Sequence, residues 1–414
     1  MARYVIVGAG PAGVIAAETL RQQDADGEIV LLGGEPEPPY SRMAIPYYLT
    51  GGIEESGTHL RKAQDHYAKL GIEVRQAAVS KVDTGANSLV LADGSALPYD
   101  QLLLATGASP VRPPVPGLDL PGVHHCWTLE DARQIADLAD PGASVVLMGA
   151  GFIGCIILES LLARDVKLTV VEMEDRMLPR MMDQTGGAMI KRWCEDKGTS
   201  VLTSTKVTEI KAADGGGLQV VLDSGEQVPA ALVVVATGVK SNAELAQDGD
   251  IKVDQGIVVD NYLRTSVPNV YAAGDVAQAP DHSTGGWSVL AIQPTAADHG
   301  RVAALNMAGV ETTYKGNLAM NVLDTAGLVS VSFGRWDGGD GCETAESVDA
   351  ENFRYMRLVF DGDRVVGALC LGHTDHVGVL RGLIQGDVRL GDWKARLQAD
   401  PCRIMEAYLG STLS

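Results

Sequence analysis

Residues 3–13, RYVIVGAGPAG, run a short apolar strand straight into a glycine turn, and the helix-forming VIAAETLRQQ follows. The three glycines of such a unit do separate work: Gly8 allows the tight turn, Gly10 lets the backbone approach a pyrophosphate, and Gly13 lets the helix close on the strand. The helix N-terminus then faces the phosphates. A second strand, EIVLLGGE, ends on Glu35, whose carboxylate can accept hydrogen bonds from an adenosine ribose.

The pattern recurs at residues 144–154, SVVLMGAGFIG, followed by the helical CIILESLLARD and the strand KLTVVEMED. Gly149, Gly151 and Gly154 take the three glycine positions and Glu172 the acidic strand end. One glycine motif is weak evidence, and two ordinary strand-to-helix turns remain the competing account. Two complete units with acidic strand ends predict two dinucleotide sites. LLLATGASP (102–110) and VVVATGVKSN (233–242) are apolar strands ending in Ala-Thr-Gly, placed as exits from the two units. TSVPNVYAAGDVAQA (265–279) adds a strand ending in Gly274-Asp275, a carboxylate positioned for hydroxyl recognition.

The chain has 414 residues, enough for two or three domains, and 46% hydrophobic content suits a globular protein. A formal charge of -20 argues against a nucleic-acid grip, because no basic cluster is present to displace counterions from phosphates. The longest apolar runs, ALVVVATG and ASVVLMGAG, are strand-sized, so no membrane partner is expected. MARYVIVGAG enters the first strand directly without a leader, which predicts a cytoplasmic protein. Cys126, Cys155, Cys194, Cys342, Cys370 and Cys402 form no CxxC or CxxxxC pair, so spacing shows no redox dithiol.

The order GAGPAG, ATGASP, GAGFIG, ATG, AAGDVA resembles the FAD-dependent pyridine-nucleotide oxidoreductases, the group of glutathione-reductase-like enzymes, over essentially the whole chain. The resemblance implies an α/β fold of two Rossmann-like dinucleotide-binding domains plus an α+β C-terminal interface domain. The expected divisions are 1–112 with 245–315 for FAD, 113–244 for NAD(H), and 316–414 for the interface domain, which in the family commonly mediates dimerisation. It implies FAD held at Gly8, Gly10, Pro11, Ala12 and Gly13, with Glu35 on the adenosine ribose, Val79 holding adenine by its backbone, Ala105, Thr106 and Gly107 at the strand exit, and Gly274 with Asp275 on the ribityl chain. Backbone N–H groups of Thr295, Ala296 and Ala297 would face the flavin pyrimidine from a helix N-terminus, which stabilises negative charge there by roughly 0.3–2 kcal/mol. Asp298 and His299, one turn further in, are read as solvated or capping. Gly149, Gly151, Phe152, Ile153, Gly154, Glu172, Thr237 and Gly238 would hold the nicotinamide nucleotide. His373 and His376 lack further ligands, and no metal site is expected.

Glu172, followed by Glu174 and Asp175, would accept from a free 2'-hydroxyl and repel a 2'-phosphate, which favours NADH over NADPH, with Arg176 as the counter-indication. Ile156 stands where relatives often carry a glutamate that approaches the nicotinamide, and Glu159 lies three residues on.

The segment PPYSRMAIPYYLTGG (38–52) starts like the rubredoxin and ferredoxin reductases and the flavin module of NADH-dependent nitrite reductases, which carry Pro-Tyr-x-Arg near FAD. It continues like coenzyme A-disulfide reductases, with Met43, Ala44 and Ile45 on their Cys-Gly-Leu positions and Pro46, Tyr47 and Tyr48 retained. Tyr47 replaces the flavin-side lysine of many ferredoxin-type relatives. A thioether has no ionisable proton and forms neither a thiolate nor a mixed disulfide, so disulfide reduction through a thiol at this position is excluded. Met43, Pro46, Tyr47 and Trp287 are the flavin-adjacent candidates, with core packing the competing account for Met43 and Trp287. Arg42 is placed near the FAD phosphates, with a solvated surface arginine as its alternative. The resemblance therefore implies an enzyme that takes hydride from NADH at flavin N5 and passes electrons onward without a protein thiol. The acceptor is expected to be a carrier protein, or else a small molecule such as oxygen, a quinone or a coenzyme A persulfide. A redox-responsive interaction module is the reading of another class.

Overall fold

The computed structural model describes residues 1–412. It divides into two compact units. One comprises Met1–Tyr48, Ile53–Ser109 and Val239–Asn317; the other comprises Leu49–Gly52, Pro110–Gly238 and the described chain from Leu318 onward.

The first unit is organised by a five-stranded parallel sheet with the spatial order Val270–Ala272, Gln101–Leu104, Arg3–Val7, Glu28–Gly33, Ile72–Gln76. The central strands are apolar at nearly every position, as required of a parallel sheet buried on both faces. Helix Pro11–Gln23 packs against helix Gln293–Met307 with almost no side chain between them. A Cβ on Gly300 would stand 2.2 Å from the Ala12 carbonyl oxygen, so only glycine permits this approach. An antiparallel sheet of Val79–Asp83, Ser88–Leu91 and Ala96–Pro98, and a small sheet of Ile257–Val258, Ala277–Pro280 and Trp287–Val289, complete this unit's main elements.

The second unit repeats the plan. Its parallel sheet runs Val123–His125, Leu232–Val235, Ser144–Met148, Lys167–Val171, Ser200–Leu202, the order of the first sheet except at one edge: Val123–His125 precedes its glycine turn in the chain, whereas Val270–Ala272 follows the first turn. This unit also holds a three-stranded antiparallel sheet of Val207–Ala212, Leu218–Leu222 and Gln227–Ala230, and a five-stranded antiparallel sheet ordered Met320–Thr325, Leu328–Gly334, Arg364–Leu371, Arg354–Asp361, Glu343–Asp349. Helices Val377–Gln385, Trp393–Ala399 and Ile404–Thr412 bury Leu380, Leu383, Leu397 and Ala407 in one core with the five-stranded antiparallel sheet. That sheet is fastened to helix Gln184–Asp196 at both ends of that helix. Its N-cap Asp183 accepts from Tyr355 Oη at 2.5 Å and from Arg357 Nη1 at 3.0 Å, while Trp193 near its end donates to Ala326 O at 3.1 Å and meets Phe353 edge-on. The expected fold class is therefore the observed one: two α/β parts, each built on a five-stranded parallel sheet, and an α+β C-terminal part. Among the described residues no helix is long and apolar enough to cross a membrane.

Candidate functional site

In the first unit, the turn after strand Arg3–Val7 has Gly8 at φ +119°, where an added Cβ would stand 2.0 Å from Ala105 O. Gly10 is the N-cap of the next helix, has no side-chain cap, and a Cβ there would meet nothing within 4 Å. Pro11 follows in the first turn, where its missing N–H costs the helix nothing, and Ala12 and Gly13 are buried behind it. The result is a helix N-terminus with open space before it, the geometry that takes a phosphate. Ala105-Thr106-Gly107 lies beside this turn, with Gly107 at φ +69°. Thr106 Oγ1 donates to Asn242 O at 2.7 Å and Asn242 Nδ2 returns a bond to Thr106 O at 2.9 Å, so Asn242 fixes the strand exit. Val79 lies half-buried at the start of the antiparallel sheet, paired with Leu91.

Glu35, Tyr40 and Arg42 form a closed cluster. Arg42 Nη2 meets Glu35 Oε1, Tyr40 Oη donates to Glu35 Oε2, and Arg42 Nη1 donates to Tyr40 Oη, each at 2.6 Å. Arg42 is thus no solvated surface arginine, and its charge also reaches Asp275. Asp275 sits in the short turn Gly274–Val276, and burial pushes its pKa up to about 6, against the pull of Arg42. A half-buried carboxyl facing no ion pair of its own suits a hydroxyl ligand. Helix Gln293–Met307 begins without a side-chain cap, with Thr295 and Ala296 buried and Ala297 half-buried. Of the three amides expected to face a flavin, that of Ala296 donates to Ile292 O at 3.0 Å inside the helix. Ser41 Oγ donates to Gln293 Oε1 at 2.5 Å, tying segment 38–52 to this helix start.

Met43 is 45% exposed, Tyr47 64% and Trp287 53%, while Pro46 is half-buried. Core packing therefore fails as the account of Met43 and Trp287. The indole is nonetheless fixed, because Trp287 Nε1 donates to Val259 O at 2.9 Å. His299, expected to be solvated or capping, is instead wholly buried, and its Nδ1 accepts from the Gly274 amide at 3.3 Å.

In the second unit the twin turn has Gly149 at φ +107° and open space at Gly151, with Phe152 and Ile153 opening the helix and Gly154 against Gly149 O. Glu172 is 7% exposed, and both its oxygens take backbone amides, Ala150 N–H at 2.6 Å and Glu174 N–H at 2.8 Å. It therefore braces the glycine turn, and each oxygen keeps a lone pair for a ribose hydroxyl. Arg176 has its donors on Met182 O, Pro179 O and Asp175, at 3.0, 3.2 and 2.7 Å, which draws it away from a 2'-phosphate role. Thr237 Oγ1 donates to Val111 O and Gly238 takes φ +109° at the strand exit. Glu159 has its pKa raised by burial and then by Asp324.

Burial drives the thiols of Cys126, Cys194 and Cys370 up to about 12, and that of Cys155 well above its ordinary value, so none of these four is a thiolate at neutral pH. All six cysteines are unpaired. Among the described residues no group of three His, Cys, Asp or Glu is arranged to hold a metal.

A family model of pyridine nucleotide-disulphide oxidoreductases matches residues 2–300, almost three quarters of the chain. The chain belongs to the pyridine nucleotide-disulphide oxidoreductases. As a member of this family it is an FAD-dependent NADH oxidoreductase, a flavoprotein of electron transfer. Residues 320–394 match a rubredoxin NAD+ reductase C-terminal domain. This oxidoreductase is 31% identical to the NADH-dependent phenylglyoxylate dehydrogenase subunit epsilon of Aromatoleum evansii, over 99% of this chain and 98% of the relative. It is 37% identical to rhodocoxin reductase of Rhodococcus erythropolis over 75% of this chain and 73% of that one. Its fold is that of putidaredoxin reductase in a covalent complex with putidaredoxin, with a TM-score of 0.92 at 24% identity, covering 100% and 99% of the two chains.

Proposed function

We propose that this oxidoreductase exchanges electrons between NADH and a protein redox carrier through FAD, with no thiol of its own in the path. The observation that carries the reading is Met43: a half-exposed thioether where a disulfide-handling enzyme would keep its cysteine, with Tyr47 and Trp287 also exposed in the same unit. The rubredoxin-reductase-like C-terminal domain supports it. Bound FAD supplies the chemistry, accepting hydride and releasing electrons.

The chain's own residues hold and orient. Gly8, Gly10 and the helix start at Pro11 receive the FAD pyrophosphate; Glu35, Tyr40 and Arg42 receive the adenosine ribose and phosphates; Asp275 takes a ribityl hydroxyl. Val79 lies at the adenine, and the helix start at Thr295 at the pyrimidine. The Gly149–Gly154 turn with Glu172 takes NADH, and the engaged Arg176 supports NADH over NADPH. The domain division is 1–112 with 245–315 for FAD, 113–244 for NADH and 316–414 for an interface through which a cytoplasmic homodimer forms.

Anaerobic mixing with NADH or NADPH, followed through flavin absorbance, tests the donor side, and candidate acceptors added singly to the reduced protein test the other. Rapid bleaching by NADH and reoxidation by a carrier protein support the proposal; reoxidation only by oxygen, a quinone or a persulfide moves the acceptor to small molecules. The end-to-end likeness to a dehydrogenase subunit favours a second reading, in which the chain works inside a larger dehydrogenase and delivers electrons to NAD+. NAD+ reduction by a reduced carrier, faster than the reverse reaction, marks that case.

A further inference from the structure

His299 lies on helix Gln293–Met307 with both ring nitrogens bonded and 0% exposure. Nδ1 accepts from Gly274 N–H at 3.3 Å and Nε2 faces Asn317 Oδ1 at 3.2 Å. The orientation of Asn317 is fixed by its other partners, since Oδ1 also accepts from Tyr314 Oη at 2.9 Å while Nδ2 donates to Ser288 O at 2.9 Å. Oδ1 being an acceptor, Nε2 carries the ring proton and Nδ1 is bare. The Tyr314 ring stands edge-on to the imidazole with centroids 4.7 Å apart. Burial lowers the histidine pKa to about 4, which keeps the ring neutral under ordinary conditions.

What this ring holds is the turn Gly274–Val276. Gly274 has φ +76° where the chain leaves strand Val270–Ala272, and its buried N–H finds its acceptor in Nδ1 of His299. The next residue is Asp275, whose carbonyl accepts from Ser241 Oγ at 2.9 Å, leaving the carboxyl as the free end of the turn. The same network reaches the hairpin of Trp287, because Asn317 donates from its backbone to Pro280 O at 2.7 Å and from its side chain to Ser288 O.

We propose that His299 is a positioning residue of the flavin site, its bare Nδ1 holding the Gly274 amide so that Asp275 is aimed at the ribityl chain. The proposal rests on the reading of Asp275 as a flavin ligand. It assigns different work to the two ring nitrogens, and two amide substitutions separate them. In His299→Asn the side-chain oxygen stands near the place of Nδ1 and can still accept from Gly274. In His299→Gln the amide reaches the place of Nε2 and keeps the bond to Asn317, leaving Gly274 N–H without an acceptor.

The test titrates FAD into the apo form of the full chain for wild type, His299→Asn, His299→Gln, His299→Phe and Asp275→Asn, with thermal unfolding of each apo protein alongside. An unpartnered buried amide is expected to weaken FAD about tenfold in His299→Gln and His299→Phe, with His299→Asn staying within about threefold of wild type. His299→Gln binding FAD as tightly as His299→Asn, or more tightly, overturns the proposal even if His299→Phe fails to fold. Loss of FAD in Asp275→Asn with both amide variants intact removes His299 alone, whereas full FAD binding by Asp275→Asn removes the reading of Asp275 on which the proposal stands.

Discussion

At the scale of single residues, burial decides more than residue type. Asp275 has its carboxyl raised from 3.8 to about 6, so the folded chain binds its proton more tightly than the unfolded chain does. Its contribution to stability is full below the unfolded value and is lost as pH rises through about 6. Asp275→Asn should therefore raise the melting temperature of the apo protein at neutral pH, by an amount equivalent to at most about 3 kcal/mol, while weakening FAD. Calorimetry at pH 5 and pH 7 checks it, the gain being larger at the higher pH. His299 has the opposite sign: with its pKa lowered from 6.5 to about 4, stability falls as pH drops across that window, moderated by the nearby Asp298 charge. At Met43, substitution by cysteine should give the oxidised flavoprotein a long-wavelength charge-transfer band once the thiol ionises, and an unchanged spectrum with a verified thiolate would place residue 43 away from the ring. The residues legible from sequence alone were those whose partners are local. Glu172 is marked in the sequence by its strand end and its local partner Glu174 N–H, whereas its bond to Ala150 N–H, 22 positions away, carries no sequence signal. Asn242 was missed because its partner Thr106 is 136 positions away, and His299 because nothing in its neighbourhood announces Gly274.

At the scale of elements, the two strand-turn-helix units were fully readable, since glycine spacing, strand and helix all lie within one short window. The packing of helix Pro11–Gln23 on helix Gln293–Met307 was not, because the small residues at that contact look like ordinary helix content. The glycines now divide by what they face. Gly10 has φ in the ordinary negative range and nothing within 4 Å of a Cβ, so Gly10→Ala should leave apo stability nearly unchanged and abolish tight FAD binding by filling the phosphate approach. Gly300→Ala should do the reverse of its first half: a Cβ 2.2 Å from Ala12 O forces the helices apart and should cost about 1–3 kcal/mol of stability in denaturant unfolding. Equal losses of stability in both variants would count against this division.

At the scale of the whole molecule, the charge of -20 governs encounter rather than fold. With an acidic carrier the second-order rate of electron transfer should rise as salt screens repulsion, and with a basic carrier it should fall; stopped-flow reoxidation across ionic strength distinguishes them. The overall architecture was legible because repetition is a global signal written locally twice. How the C-terminal sheet is fastened to helix Gln184–Asp196 was not, because Tyr355, Arg357 and Asp183 are far apart in the chain and carry no motif. The order of the strands also bears on synthesis. The first sheet sets Gln101–Leu104 between Arg3–Val7 and Val270–Ala272, so its edge strand leaves the ribosome long after the opening strand has been waiting. The sheet centred on Ser144–Met148 is made from one uninterrupted stretch, Val123–Val235, and is free to form while that wait continues. The nascent protein should thus acquire its capacity for nicotinamide nucleotide before its capacity for flavin, although the flavin half was the first to be translated.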